Sequence, residues 1–385
     1  MSWENRNFRE LGFLGRGKSR HRPRNDESLY GGDYPMIQTG DVKAANFYLN
    51  SFSQTYNEKG LAQSKLWEPN TLCITIAANI AETAILGMKA CFPDSIIGFI
   101  ADEEKSDVRF IKYFFDIYKE RMQRISQGAT QDNLSLEKLL TFEVPTPPLQ
   151  TQKRIADILS AYDDLIENNQ KRIKLLEQAV QNIYKEWFVN LRFPGYENAV
   201  ANEETGLPEG WTERNINEVF NIKYGKNLPA TKITSSGKYS VYGASGVMGY
   251  YEECNTEIKV ALITSRGNGS GDVHRTFQKN SFVTNNSFKV FPKEGYEFYP
   301  FFFVTEFLKT LNLLNYCSGS AQPQLTNASM NNIRSIFPNK EMVALFTQKV
   351  SPILEQSDVL LKQNQKLKAA RDILLPRLMN RTIEV

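Results

Sequence analysis

The sequence predicts a mixed α/β (α+β) chain built twice over, with two similar globular segments that each lead into a long helix. Three observations carry that expectation. The octapeptide Gly128-Ala-Thr-Gln-Asp-Asn-Leu-Ser135 returns 191 residues later as Gly319-Ser-Ala-Gln-Pro-Gln-Leu-Thr326. Each copy precedes a short apolar run ending in proline (Leu140 to Pro145; Ile333 to Pro338) and then a Thr-Gln-Lys triplet, at Thr151 to Lys153 and Thr347 to Lys349. Each triplet opens a stretch whose apolar residues recur at alternating steps of four and three. A repeat of this kind constrains the whole architecture before any local assignment. Two such units predict a pseudo-two-fold molecule, and a two-fold runs its two long helices antiparallel.

In chain order, residues 1–148 form the first globular domain, with β-like runs at Leu72 to Ala77 and Ser95 to Ile100 and a helix around Val108 to Ser126. Residues 149–191 read as one long helix. Nine of the ten positions Ile155, Leu159, Tyr162, Ile166, Asn169, Ile173, Leu176, Val180, Ile183 and Trp187 are apolar, which is the seam of a coiled coil. At 1.5 Å per residue that seam is about 50 Å long. Residues 192–210, with Pro194, Gly195, Gly206, Pro208 and Gly210, read as a linker. Residues 211–338 form a second mixed domain rich in Gly, Asn, Ser and Tyr, in which Ile263-Thr264 with Asn268 echoes Ile74-Thr75 with Asn79.

Residues 339–385 are the second helical region. Phe346, Val350, Ile353, Ser357, Leu360, Asn364, Leu367, Arg371, Leu374 and Leu378 take the same steps, seven of them apolar. Ser351-Pro352 suits either a helix start or a kink within a longer helix. Asn169 and Asn364 both fall on the seams, 195 residues apart. A buried Asn at such a position costs stability and fixes register.

Composition narrows the function. No apolar stretch is long enough for a membrane span, and the opening Met-Ser-Trp-Glu-Asn-Arg-Asn lacks the apolar core of a signal peptide. Four scattered cysteines without a Cys-x-x-Cys pair fit a reducing cytosol, so a cytoplasmic location is expected. A net charge of +3 places any basic surface locally. With only His21 and His274 present, histidine-based catalysis is nearly excluded by supply. The Asn/Asp-Pro-Pro-aromatic tetrapeptide of amino-methyltransferases is absent, as are a nuclease-like Asp with Glu-x-Lys and a complete Gly-x-Gly-x-x-Gly. The many carboxylates of the long helices read as solvated faces. No catalytic residue and no metal or cofactor site is expected.

Gly12-Phe-Leu-Gly-Arg-Gly-Lys18-Ser19 matches the phosphate-loop expression, but the mechanism needs a buried strand before it and a helix after it. The flanks are polar upstream, and Pro23 disfavours a helix downstream. The charges suggest another use. Arg16, Lys18, Arg20, Arg22 and Arg24 alternate, and in an extended segment they would line one edge. With Ser19, His21 and Asn25 among them they read as a strip for DNA backbone and base edges; the competing reading is a solvated charged loop. In the second domain, Tyr224-Gly-Lys226, Tyr242-Gly-Ala-Ser245-Gly and Ser265-Arg266-Gly-Asn268-Gly-Ser270 are donor-rich loops. There Arg266 and Asn268 suit guanine and adenine edges, against the plainer reading of turn chemistry.

Taken in order, the two octapeptides (Gly-x-x-Gln-x-x-Leu-Ser/Thr), Val144-Pro-Thr-Pro-Pro-Leu-Gln-Thr-Gln152, Leu207-Pro-Glu-Gly-Trp211 and Leu374-Leu-Pro-Arg-Leu-Met379 resemble the specificity (S) subunit of type I restriction–modification enzymes over nearly the whole chain. Gly15-Arg-Gly-Lys-Ser-Arg-His-Arg-Pro23 with Ile37-Gln-Thr-Gly-Asp41 is similar to one type of target-recognition domain. The resemblance implies a non-catalytic bacterial or archaeal subunit whose two target-recognition domains each read half of a split double-stranded DNA site. The helices would set the unread spacer and dock two methyltransferase subunits, which carry S-adenosylmethionine. Two motor-nuclease subunits using ATP and magnesium would complete a restriction enzyme. The alternatives are a specificity subunit of a methyltransferase-only complex and a helical adaptor that does not bind DNA. The second copy has Phe337-Pro-Asn-Lys-Glu341 in place of the proline pair, so the two domain-to-helix joints are expected to differ.

The residues expected at DNA are Lys18, Ser19, Arg20, His21, Arg22, Arg24 and Asn25 for one half-site, and Lys226, Ser245, Arg266, Asn268 and Ser270 for the other. Arg22→Ala is expected to relax selection at one half-site only. Sequences selected from a randomised duplex pool that change equally in both halves would contradict the assignment of one domain to one half.

Overall fold

The computed structural model describes residues 3–127, 134–267, 269–319 and 323–385. The chain divides into two compact units, one comprising Met1–Lys171 with Leu361–Val385 and the other Arg172–Leu360. Among the described residues no helix is long and apolar enough to cross a membrane.

The first unit is built on a five-stranded sheet in the order Gly12–Arg16, Ile96–Ala101, Leu72–Thr75, Thr83–Leu86, Tyr48–Leu49. The first three junctions are antiparallel and the last is parallel. Leu72–Thr75 and Thr83–Leu86 are buried at every position, which is why they read as short continuous apolar runs. One face carries Ile74, Ile97 and Phe99 into a core shared with Phe8 of the short helix Phe8–Leu11 and with Phe110, Phe114 and Phe115 of the helix Val108–Gln127.

The second unit repeats the plan with the order Phe220–Tyr224, Ser287–Pro292, Ala261–Thr264, Val273–Arg275, antiparallel throughout. Its helix, Phe301–Thr310, packs Phe303 and Phe307 against Ile263, Phe288 and Val290. Each unit also carries a two-stranded ribbon that joins its first strand to its last: Glu4–Arg6 with Val144–Thr146, and Thr212–Asn215 with Arg334–Phe337.

The repeated octapeptides have a structural reason at their described ends. The Leu134 N–H donates to Ile76 O at 3.0 Å, and the Leu325 N–H donates to Ser265 O at 2.9 Å, so both leucines dock just beyond equivalent strands. Both side chains are fully buried. The next residue, Ser135 or Thr326, caps a short helix by accepting a backbone N–H. Gly128 to Asn133 and Ser320 to Gln322 lie outside the described residues.

The long helices run Leu149–Tyr184, continued by a π-helical turn at Lys185–Val189, and Lys340–Met379. The second is continuous through Pro352, where the sequence allowed a start or a kink, and Ser351 Oγ donates to Thr347 O at 2.8 Å there. Every position on both predicted seams is buried or half-buried. In the first unit, Ile155 and Leu159 meet Leu375 and Leu378 in the core. There Asn169 Nδ2 donates to Asn364 Oδ1 at 2.9 Å, and Asn364 Nδ2 donates to Ile166 O at 3.3 Å. Arg371 pairs with Asp163, so the partner number falls as the first helix climbs, and the helices are antiparallel. In the second unit, Val180 and Tyr184 of the first helix share a core with Phe346 and Val350 of the second. Trp211 of the Leu207–Trp211 motif stacks beside Phe188 and Phe193.

One expectation is refined and one is met. The helix carboxylates are not all solvated: Asp163 is 3 % exposed and accepts the Tyr113 hydroxyl at 2.6 Å as well as Arg371. Burial still raises its pKa, with Tyr113 and Arg371 opposing that rise. The joints differ as expected. Gln152 is fully buried and donates to Pro147 O and Lys105 O, both at 3.0 Å, whereas Asn339 opens the second helix by accepting the Met342 N–H.

Asn364→Leu removes the acceptor of the Asn169 amide and leaves that amide buried, at a cost of about 1–3 kcal/mol. Asn169→Leu with Asn364→Leu should recover most of the loss, because both polar groups then leave together. Urea unfolding of the full chain measures both. A single variant as stable as the parent would mean the amide pair contributes nothing.

Candidate nucleic-acid interface

In the first unit the basic stretch begins on the edge strand Gly12–Arg16. Beyond it the Gly17 N–H donates to Ile96 O and the Lys18 N–H to Phe92 O, both at 2.9 Å. An added Cβ on Gly17 would stand 2.2 Å from Pro93 O and 2.4 Å from Phe92 O, so only glycine fits this approach. The chain then turns, with a cis Arg22–Pro23 bond, and no helix follows Lys18-Ser19 until a single turn at Glu27–Leu29. The phosphate-loop reading therefore lacks its helix.

The expected single row of five cations is corrected by this turn. The side-chain Oε1 of Gln63 accepts the N–H groups of Arg20 and His21 at 2.6 and 3.0 Å and bends the chain away from the strand direction. The Arg22 guanidinium donates to Ser19 O and His21 O at 2.7 and 2.8 Å, closing the loop upon itself. Arg24 pairs with Asp94 at 2.6 Å. His21 Nε2 lies 2.7 Å from Asp26, whose carboxyl is held down to about 2 by hydrogen bonds from Ser28 and then from His21. Ser19 is buried, which corrects its expected place at the surface. Arg16 and Arg20 are exposed, Lys18 is half-buried, and none of the three side chains has a hydrogen bond or ion pair among the described residues. The exposed Asn25 side chain is equally uncommitted. The stretch thus separates into residues that build the loop (His21, Arg22, Arg24) and cations left to meet an anion (Arg16, Lys18, Arg20).

In the second unit Lys226 follows the edge strand Phe220–Tyr224. Its N–H donates to Val283 O at 3.0 Å, and its side chain is exposed and uncommitted. Ser245 lies exposed in the tight turn of the hairpin Tyr239–Gly243 and Gly246–Tyr251. Arg266 is exposed, its backbone is bridged to Gln324, and its side chain has no partner among the described residues. Ser270 is buried: its hydroxyl donates to Ser265 O at 3.2 Å and faces Cys317 Sγ at 3.4 Å, so it supports the loop and is not a surface contact. Asn268 lies outside the described residues.

Sequence reasoning missed the supports of the first loop, Gln63 and Asp94, and in the second unit the half-buried Lys289 beside Lys226. Lys289 Nζ donates to Asn255 O at 2.8 Å. Its pKa is lowered by burial and then by Lys226 and Lys223, a sign that positive charge gathers here. Sheet register is the signal that could have found Lys289, since it pairs across from Lys223.

Comparison with known proteins places this geometry. The family model described as the type I restriction modification DNA specificity domain matches residues 2–178 and 208–370. The chain is 24% identical over 402 aligned positions to the type I restriction enzyme MjaIX specificity subunit of Methanocaldococcus jannaschii, covering 98% of this chain and 92% of that protein. It is 25% identical to a putative type I specificity subunit of Mycoplasma genitalium, covering 72% of each. The crystal structure of the type I restriction–modification S subunit from M. genitalium shares the fold at a TM-score of 0.54 and 20% identity, over 98% of this chain and 96% of that one. With both globular segments matched, the chain belongs to the family of type I restriction–modification DNA specificity domains.

Proposed function

We propose that this chain is the sequence-reading subunit of a type I restriction–modification complex, in which each unit reads one half of a bipartite double-stranded DNA site. The observation that carries the reading is the duplicated framework, which in each unit leaves basic side chains uncommitted beside the same edge strand: Arg16, Lys18 and Arg20 in one, Lys226 in the other. Arg266 adds a further free guanidinium in the second unit. Lysine and arginine without internal partners are suited to phosphates, and arginine also to guanine edges.

The chemistry belongs to partners. Two methyltransferase subunits would dock on the long helices and supply S-adenosylmethionine, and two motor-nuclease subunits using ATP and magnesium would join a restriction-competent complex. This chain would contribute no catalytic group and act in the bacterial or archaeal cytoplasm.

Genome-wide mapping of adenine methylation in cells with and without the gene is the test. A methylated motif of two specified blocks around an unspecified spacer should vanish with the gene. An unchanged methylation map, together with duplex binding that ignores sequence, would refute the reading.

A further inference from the structure

The uncommitted cations of the two units are not alike, with one exception. We propose that Lys18 and Lys226 are a duplicated phosphate anchor, one per unit, that holds DNA independently of sequence while neighbouring residues without counterparts read the bases. The proposal rests on the DNA-reading function above and divides labour within it.

The two lysines occupy one place in the repeated fold. In each unit the edge strand is followed by a glycine whose N–H donates to the first residue of the neighbouring strand, Gly17 to Ile96 O at 2.9 Å and Gly225 to Ser287 O at 3.0 Å. The next N–H reaches a carbonyl four residues before that strand begins, Lys18 to Phe92 O and Lys226 to Val283 O. Both glycines are sterically required: a Cβ on Gly225 would stand 2.2 Å from Thr284 O and 2.3 Å from Val283 O, matching the crowding at Gly17. Each lysine carbonyl is also held, Lys18 O by Ser64 Oγ at 2.7 Å and Lys226 O by the Asn285 N–H at 3.1 Å. A backbone pinned on both sides carries an ammonium with no partner among the described residues, so the charge is positioned without being used internally.

The neighbours are not shared. Counting from the matched lysines, Arg16 has Tyr224 as its counterpart and Arg20 has Leu228. Counting from the matched strand threonines Thr75 and Thr264, Arg266 has Ala77. Two readers of different base sequences have only the sugar–phosphate backbone in common, and phosphate contacts carry no sequence information. A cation kept in both, where the surrounding cations are replaced, is therefore assigned to that common part. Its chemistry agrees: an ammonium is a compact point charge with rotatable donors, suited to phosphate, whereas a planar guanidinium is the better reader of guanine. In the second unit Lys223 and Lys289 add positive charge around Lys226.

The experiment measures binding of the full-length chain to a fixed mixed-sequence duplex across a salt series, and selection from a randomised duplex library. Lys18→Met and Lys226→Met should each make the slope of log K against log salt shallower by about 1, and the double variant by about 2. Selected motifs should stay unchanged. Lys18→Arg and Lys226→Arg should keep the parent slope, and thermal unfolding confirms that each variant is folded. Arg20→Met and Arg266→Met should instead change the bases selected in one half of the motif. An unchanged slope in either lysine variant, or a changed motif, overturns the anchor. A parent protein that selects no motif would overturn the DNA-reading function itself, so the two failures are distinguishable.

Discussion

The register of the long helices depends on one buried amide–amide hydrogen bond, from Asn169 to Asn364. Leucine seams alone tolerate slippage by whole heptads, because one apolar layer resembles another. A buried amide does not, since any other register leaves two polar groups facing hydrocarbon. With that pair aligned, Arg371 falls opposite Asp163, and Leu375 and Leu378 reach the core around Ile155 and Leu159. Asp163 extends the arrangement sideways by accepting Tyr113 from the helix Val108–Gln127. Helix pairing and the globular core of the first unit are in this way a single hydrogen-bonded and packed assembly.

On this frame the proposed DNA-facing surface combines a repeated part and an unrepeated part. The sheets share strand order, the leucine docking and the capped turn that follows it. The loops do not. One is closed by Arg22 on its own carbonyls and by Gln63, and the other presents a hairpin turn at Ser245 and a free Arg266. Rigid shared elements carrying dissimilar loops are the arrangement expected where one scaffold has to recognise two different targets.

Much of the fold was legible because periodicity and caps are local properties. Both seams and the paired asparagines follow from spacing and residue type, whereas the caps at Ser135 and Thr326 were not read from the sequence. The site was less legible, for two physical reasons. Alternation predicts a row of cations only if the chain stays extended, and the backbone carbonyls of Ser19 and His21 and the side-chain amide of Gln63 draw it into a turn after Lys18. The match of Lys18 to Lys226 was hidden by a change of offset. Residues before the lysines match at 208, as in Asn7 with Asn215, each capping a short helix, whereas the octapeptides match at 191. Burial of Ser19, Asp163 and Ser270 is tertiary and left no trace in local pattern.

The change of offset has a consequence for how such a chain can vary. The hydrogen bonds Lys18 to Phe92 and Lys226 to Val283 tie together the two ends of a stretch that includes sheet strands, Leu72–Thr75 and Thr83–Leu86 in one unit and Ala261–Thr264 and Val273–Arg275 in the other. The first stretch is 17 residues longer than the second, yet both close at the same fastening. Closing a loop that much longer costs only about 0.2 kcal/mol in chain entropy, since the penalty grows with the logarithm of length. Insertions and deletions in the connections outside those buried strands can therefore remodel what a unit touches while its hinge points stay put, at little cost in chain entropy.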